Sequence, residues 1–191
     1  MSSGGGLYEF ALRGLLTEES LDRAGRNHPN LEAFEEKDVA EALSIHLIPP
    51  EFVAPAKRIS VVYTAIAAFE NQVRDLIIRT LLEVEGEAWW GTVSEKIRRR
   101  AETRQTEEQK HRFHTQRGES PINYTDMSDL GNIIRAKWTS FEPYFPSIEW
   151  VEAIFNDVER SRNVIMHSGT LDKGDIARLG IHIRDWVKQV G

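Results

Sequence analysis

A chain of 191 residues, 40% of them hydrophobic, can bury one good core and a small appendage but not two full domains. It contains no cysteine, which excludes disulfides, thiolate metal sites and cysteine nucleophiles. A formal net charge of -6 argues against indiscriminate coating of nucleic acid, and the opening Met-Ser-Ser-Gly-Gly-Gly lacks the basic and apolar regions of a signal peptide. No run reads as long enough to span a membrane, so the expectation is a soluble, cytoplasmic protein without membrane attachment.

The charges are unevenly placed, and residues 1–50 are acidic, with Glu32, Glu35, Glu36, Asp38 and Glu41 crowded at their end. Two amphipathic helices are expected there, from Leu7 to about Leu16 and from Leu31 to about Leu47. The second is entered after Pro29-Asn30 and stopped by Pro49-Pro50. That proline pair sets the expected boundary between an acidic helical extension, 1–50, and a main domain, 51–191.

From about Pro55 to Val84 runs the longest regular pattern, with Ile59, Val62, Ile66, Phe69, Val73, Leu76 and Val84 at helical spacing and Gly86 as its end. Glu70 and Arg74 flank that stripe four residues apart, as a simple intrahelical pair or as a second shell for Arg162 further on. A further helix is expected from near Glu87 until Gly118-Glu119-Ser120-Pro121 breaks it. It opens with Trp89-Trp90, and because neighbours on a helix point about 100° apart, at least one of the two belongs to the core.

That helix runs into the basic residues Lys96, Arg98, Arg99, Arg100 and Arg104. One reading is a solvated helix or arm; another is a phosphate-tracking patch in which these five side chains bind RNA; a third has them dock on the acidic first fifty residues. His111 and His114 lie three apart with no third ligand spaced nearby, so no metal site is expected. No Gly-x4-Gly-Lys loop or dinucleotide glycine fingerprint is present, and no cofactor is expected.

Thr125-Asp126 reads as a helix start, with Leu130, Ile133, Ile134 and Trp138 on its apolar face. Ser147 suits the N-cap of the next helix, and Asp172 that of the last, whose buried face is Ile176, Leu179, Ile183, Trp186 and Val190. No stretch alternates convincingly as a strand. The fold class expected is all-α, an antiparallel helical bundle with additional N-terminal helices.

The helix opened by Ser147 ends on Arg162-Asn163-Val164-Ile165-Met166-His167. Its apolar residues fall at Ile148, Val151, Ile154, Phe155 and Val158, and the same spacing lands next on Arg162. A guanidinium on an apolar stripe needs an anion, a partner or a second subunit opposite it. Asn163 and His167 share an adjacent face, and Ser168-Gly169 supplies the helix end. Arg-x4-His alone is a weak pattern: Arg23 and His28 repeat it in a turn. Taken by themselves, Arg162 and His167 fit an ion pair at a helix end as well as a functional site.

The second half of the chain supplies context. Asn123-Tyr124-Thr125-Asp126, then Asp129-Leu130-Gly131-Asn132-Ile133-Ile134, Trp138, and Glu159-Arg160-Ser161-Arg162-Asn163 through His167 together resemble the HEPN superfamily. The likeness is to the branch attached to PIN-type transcript endonucleases and found in bacterial defence proteins, and it covers roughly residues 52–190. The resemblance implies a bundle of four to five core helices, a homodimer, and in many members a metal-independent endoribonuclease with its Arg-x4-6-His motif at the dimer groove. It would make His167 the general acid or base, Arg162 the cation on the phosphorane and Asn163 the orienting amide, in a toxin or defence setting with RNA and an antitoxin or other partner protein. The alternative it carries is a non-catalytic HEPN module for dimerisation and for nucleotide or RNA binding. The chemistry suits the catalytic reading, because one histidine titrating near neutrality can make both proton transfers and a fixed cation serves a charged phosphoryl transition state.

Overall fold

The computed structural model describes residues 36–111 and 113–190. The expected helix at Leu7 to Leu16, the start of the one from Leu31 with its Pro29-Asn30 entry, the Arg23 and His28 pair, and Arg112 lie outside the described residues. Among the described residues every regular element is helical and there is no strand. The chain divides into two compact units between Pro49 and Pro50.

In the first unit, helix α1 (Glu36–Ala42) is followed by a 3₁₀ turn, Ile45–Leu47. The helix stops short of the expected Leu47 because Ser44 adopts a left-handed backbone, φ 53°, which a continuing helix cannot contain.

The second unit is organised around α2 (Pro50–Glu85), which begins at Pro50 and carries Pro55 inside it. Pro50 occupies the first turn, where a missing N–H costs nothing, whereas Pro55 forfeits one helical hydrogen bond. The buried stripe is Ile66, Phe69, Val73, Leu76, Ile77, Thr80 and Leu81. Leu81, not the expected Val84, completes it, and Val84 is exposed. The 36 residues of α2 are long and apolar enough to cross a membrane by length and composition, which corrects the expectation of no such run. Lys57 and Arg58 had hidden it in the sequence. That apolar window is mostly exposed, 11% of it buried, whereas the buried residues that make α2 the spine of the bundle run from Ile66 to Leu81.

Against that spine pack α3 (Trp89–Thr92), α5 (Met127–Ala136), α6 (Trp138–Phe141) and α7 (Ile148–Met166), while α8 (Lys173–Val190) lies on α7. The single helix expected from Glu87 is two: the chain straightens at Val93-Ser94, and α4 (Glu95–Gln109) then carries the basic residues. The apolar face expected to run through Trp138 is likewise interrupted, at Lys137, where α5 ends. Caps fall where short polar side chains invite them. Ser147 accepts from the Trp150 N–H at 3.2 Å, and Asp172 from the Asp175 N–H at 2.8 Å.

The densest part of the core is aromatic. Trp186 on α8 is fully buried, with ring centroids 4.9 Å from Phe145, 5.3 Å from Phe69 and 5.5 Å from Phe155, and it stacks on Trp150. Trp89 is buried and meets Trp90 edge on, as packing rather than as an exposed platform.

Candidate functional site

Arg162 finds its anion within its own chain. Glu70, just past the middle of α2, places Oε1 3.2 Å from Arg162 Nε and Oε2 3.2 Å from Arg74 Nη2. Glu70 therefore closes the intrahelical pair with Arg74 and also fastens the motif arginine of α7 to α2. Its carboxylate is 12% exposed and Arg162 39% exposed, so the pair is partly shielded while the far side of the guanidinium still reaches solvent. The Arg74 guanidinium also donates to the Thr125 carbonyl at 3.2 Å and to Asn71 Oδ1 at 3.1 Å, whereas its buried Nε has no partner among the described residues.

These groups face a cavity of about 600 Å³. Arg74, Arg104, Arg117 and Arg162 line it together with Tyr63 and Asn123, and among the described residues the carboxylates that share its walls are Glu70 and Asp126. Within one chain, neither Asn163 nor His167 lines it. His167 is exposed at the C-cap of α7, and Asn163, Val164 and Met166 beside it are exposed as well. Five residues of helix turn a side chain through about 140°, so the imidazole leaves the end of α7 on a different side from Arg162.

The end of α7 is nonetheless well defined. Ser168 takes the left-handed conformation, φ 59°, its N–H bonding to the Ile165 carbonyl at 3.1 Å and that of Gly169 to the Val164 carbonyl at 2.9 Å. This paired bond pattern closes the helix behind His167. A Cβ on Gly169 would stand 2.8 Å from the Val164 carbonyl oxygen, so glycine is required there.

The basic helix α4 splits into two faces. Arg100 and Arg104 point inward to Asp129, which is fully buried, and Arg104 also reaches Asp126 Oδ2 at 2.8 Å and the Tyr124 carbonyl at 2.7 Å. Arg98 turns back on the Val93 carbonyl at 2.9 Å, Arg99 pairs with Glu95 at 2.5 Å in solvent, and Lys96 is exposed. The five side chains grouped as an RNA-binding set thus do not form one surface. Arg104 alone lines the cavity, and two of its neighbours are engaged in holding α4 to α5 or in closing its own first turn. His111 and His114 are exposed, and among the described residues no group of three His, Asp or Glu is placed to hold a metal.

Asp126 and Asp129 form a reciprocal capping box at the start of α5, Asp126 Oδ1 accepting from the Asp129 N–H at 2.9 Å. Burial would raise the Asp126 pKa, but hydrogen bonds from Ser128, the Asp129 N–H and Arg104 outweigh it and hold the carboxyl at about 2. Asp129 moves the other way, raised by burial and by the charge of Asp126 against the pull of Arg100 and Arg104. Glu159, on α7 a turn before Arg162, is raised by burial and by the neighbouring carboxylates Asp126, Asp129 and Glu70. A carboxylate whose folded pKa is depressed stabilises the fold above its unfolded value and loses that contribution as pH falls through the folded one. Asp126 therefore contributes stability that disappears as pH falls from about 4 toward 2. Urea midpoints across that window should show a shallower acid slope for Asp126→Asn than for the parent, with lower stability at neutral pH. Equal slopes would contradict the pairing with Arg104.

The residues of the cavity wall that sequence reasoning did not single out for the site include Tyr63, Arg117 and Asn123. Arg117 had no helical register to place it, and Gly118, with φ 152°, folds the following loop so that Asn123 packs where a Cβ on the glycine would have stood.

A family model described as Swt1-like HEPN matches residues 64–191, a span that includes Glu70, Arg104, Asp129, Arg162 and His167. No curated protein and no solved structure matches the chain. With two-thirds of its length covered by that model, and an all-helical bundle carrying an Arg-x4-His motif at the end of α7, the chain belongs to the Swt1-like HEPN family.

Proposed function

We propose that this protein is a metal-independent endoribonuclease in which Arg162 stabilises the charge of the scissile phosphate and His167 moves the protons. The observation that carries the reading is the Arg162–Glu70 pair at 3.2 Å, which fixes a partly exposed guanidinium at the wall of a cavity rich in arginine. A fixed cation aimed at developing phosphoryl charge needs no reorganisation at the moment of reaction. His167, with its ring in solvent, is available for proton transfer to the ribose 2′-oxygen or the leaving 5′-oxygen.

Within one chain His167 does not line the cavity of Arg162, so the reading requires a second copy that brings the end of its α7 to the groove. Exposed Val164 and Met166, 40% and 55% accessible, flank His167 and offer an apolar surface for that association. Arg162 itself gives no argument for a dimer, because Glu70 supplies its anion. The same separation of Arg162 from His167 favours the second reading, a dimerising module that binds RNA without cutting it.

The experiment is cleavage of single-stranded RNA in excess EDTA, with DNA as control. RNA should be cut and DNA should survive, and Arg162→Ala should lower turnover by roughly 10²-fold or more. Cleavage equal in parent and Arg162→Ala would reject the assignment, and binding without any cleavage would leave the module. Light scattering at micromolar concentration should report a dimer.

A further inference from the structure

Away from His167, the cavity has features that a scissile-phosphate site alone does not require. Tyr63, Ala67, Glu70, Asn71 and Arg74 lie along one face of α2, a strip about 16 Å long at the rise of an α-helix. Arg162 meets the strip near its middle, through Glu70. At one end stands Tyr63, half exposed with its ring at the rim. At the other end Arg74, Arg104 and Arg117 converge from α2, α4 and the loop that follows α4, three separate elements.

The guanidinium groups at that end are held from behind. Arg104 is fixed by Asp126, Asp129 and the Tyr124 carbonyl, and Arg117 by Glu108 at 2.6 Å. Arg74 is 14% exposed and is held by Glu70, Asn71 and the Thr125 carbonyl. Pre-oriented planar donors around an open space are suited to phosphate oxygens. An aromatic ring at the far end of the same trough is suited to the face of a base.

We propose that this trough is a strand-binding subsite: a single-stranded RNA segment lies along α2 across Arg162, with a base stacked on Tyr63 and a neighbouring, non-scissile phosphate on Arg74, Arg104 and Arg117. The inference rests on the ribonuclease reading only for the choice of RNA and for Arg162 as the scissile position. A base and a phosphate on opposite sides of Arg162 would fix the strand at two points and leave the linkage between them at the motif arginine. The volume of about 600 Å³ is in the range of sites that enclose a nucleotide-sized ligand.

The test is binding of a short fluorescent single-stranded RNA, read by anisotropy over a salt series, to the full-length His167→Ala protein, in which cleavage does not interfere. Tyr63 and Arg117 are both about half exposed, so their variants keep the core intact. Tyr63→Ala should weaken binding about tenfold while Tyr63→Phe, which keeps the ring, binds as the parent does. Arg117→Gln should weaken binding and flatten the salt dependence by roughly one counterion. Unchanged affinity in Tyr63→Ala together with an unchanged salt slope in Arg117→Gln would overturn the proposal. Competition by AMP as effective as that by the oligonucleotide would also overturn it, making the cavity a free-nucleotide pocket. Binding that follows these expectations while the parent protein fails to cut RNA would sink the ribonuclease reading and leave the subsite standing.

Discussion

Replacing His167 by alanine is expected to abolish RNA cleavage while leaving the helical content, the melting temperature and the oligomeric state unchanged. The side chain is exposed at the C-cap of α7 and makes no hydrogen bond or ion pair to any described residue, so its removal takes nothing from the core. The helix end behind it is closed by backbone bonds of Ser168 and Gly169, which the substitution does not touch. Loss of the proton carrier removes both transfers that the transesterification needs, whereas loss of Arg162 removes only charge stabilisation, and the two variants should differ in degree. Circular dichroism, light scattering and a gel-based cleavage assay on the same preparation check all three parts. A His167→Ala protein that cuts at the parent rate would remove the imidazole from the mechanism.

The second large effect lies in the core. Trp186→Ala should cost about 3–5 kcal/mol, because a fully buried indole packed against Phe69, Phe145, Trp150 and Phe155 leaves a cavity that four rings cannot collapse into. For a chain of this size that corresponds to a fall in melting temperature of roughly 6–20 °C. Trp186→Phe should be far milder. It keeps an aromatic ring in the cluster and removes an indole N–H that is buried without a partner among the described residues. Thermal and urea unfolding of the two variants measure the difference, and a Trp186→Ala protein as stable as the parent would mean that α8 is not part of the cooperative core.

Much of this was written in the local pattern of the chain. The caps at Asp126, Ser147 and Asp172, the apolar stripe from Ile66 to Leu76 and the helix end at Ser168-Gly169 are each set by neighbours within a few residues, and such signals survive in sequence. Glu70 was legible too, as an acid one turn before Arg74 on the flank of a core stripe. The basic run on α4 was misleading for a physical reason. Whether Arg100 and Arg104 face solvent or a buried acid depends on Asp129, 29 and 25 residues away, and a charge count along the chain carries no such information. The cavity is a meeting of α2, α4, α7 and the connection between α4 and α5, and helical periodicity gives the face of each element but not the element opposite. The split at Val93-Ser94 had local signals, in Gly91 and in Ser94 at the N-cap position of α4, and the helical reading from Glu87 ran through them.

The most direct test of the central claim is the chemistry of the ends left on RNA cut in excess EDTA. Attack by the ribose 2′-hydroxyl, with His167 moving the protons and Arg162 holding the phosphate, must leave a 2′,3′-cyclic phosphate or 3′-phosphate on one fragment and a 5′-hydroxyl on the other. Mass spectrometry of the products is expected to show those ends, and no product when the ribose at the cut site is replaced by its 2′-deoxy form. Products with 3′-hydroxyl and 5′-phosphate ends, or cleavage that appears only when magnesium is added, would contradict the account.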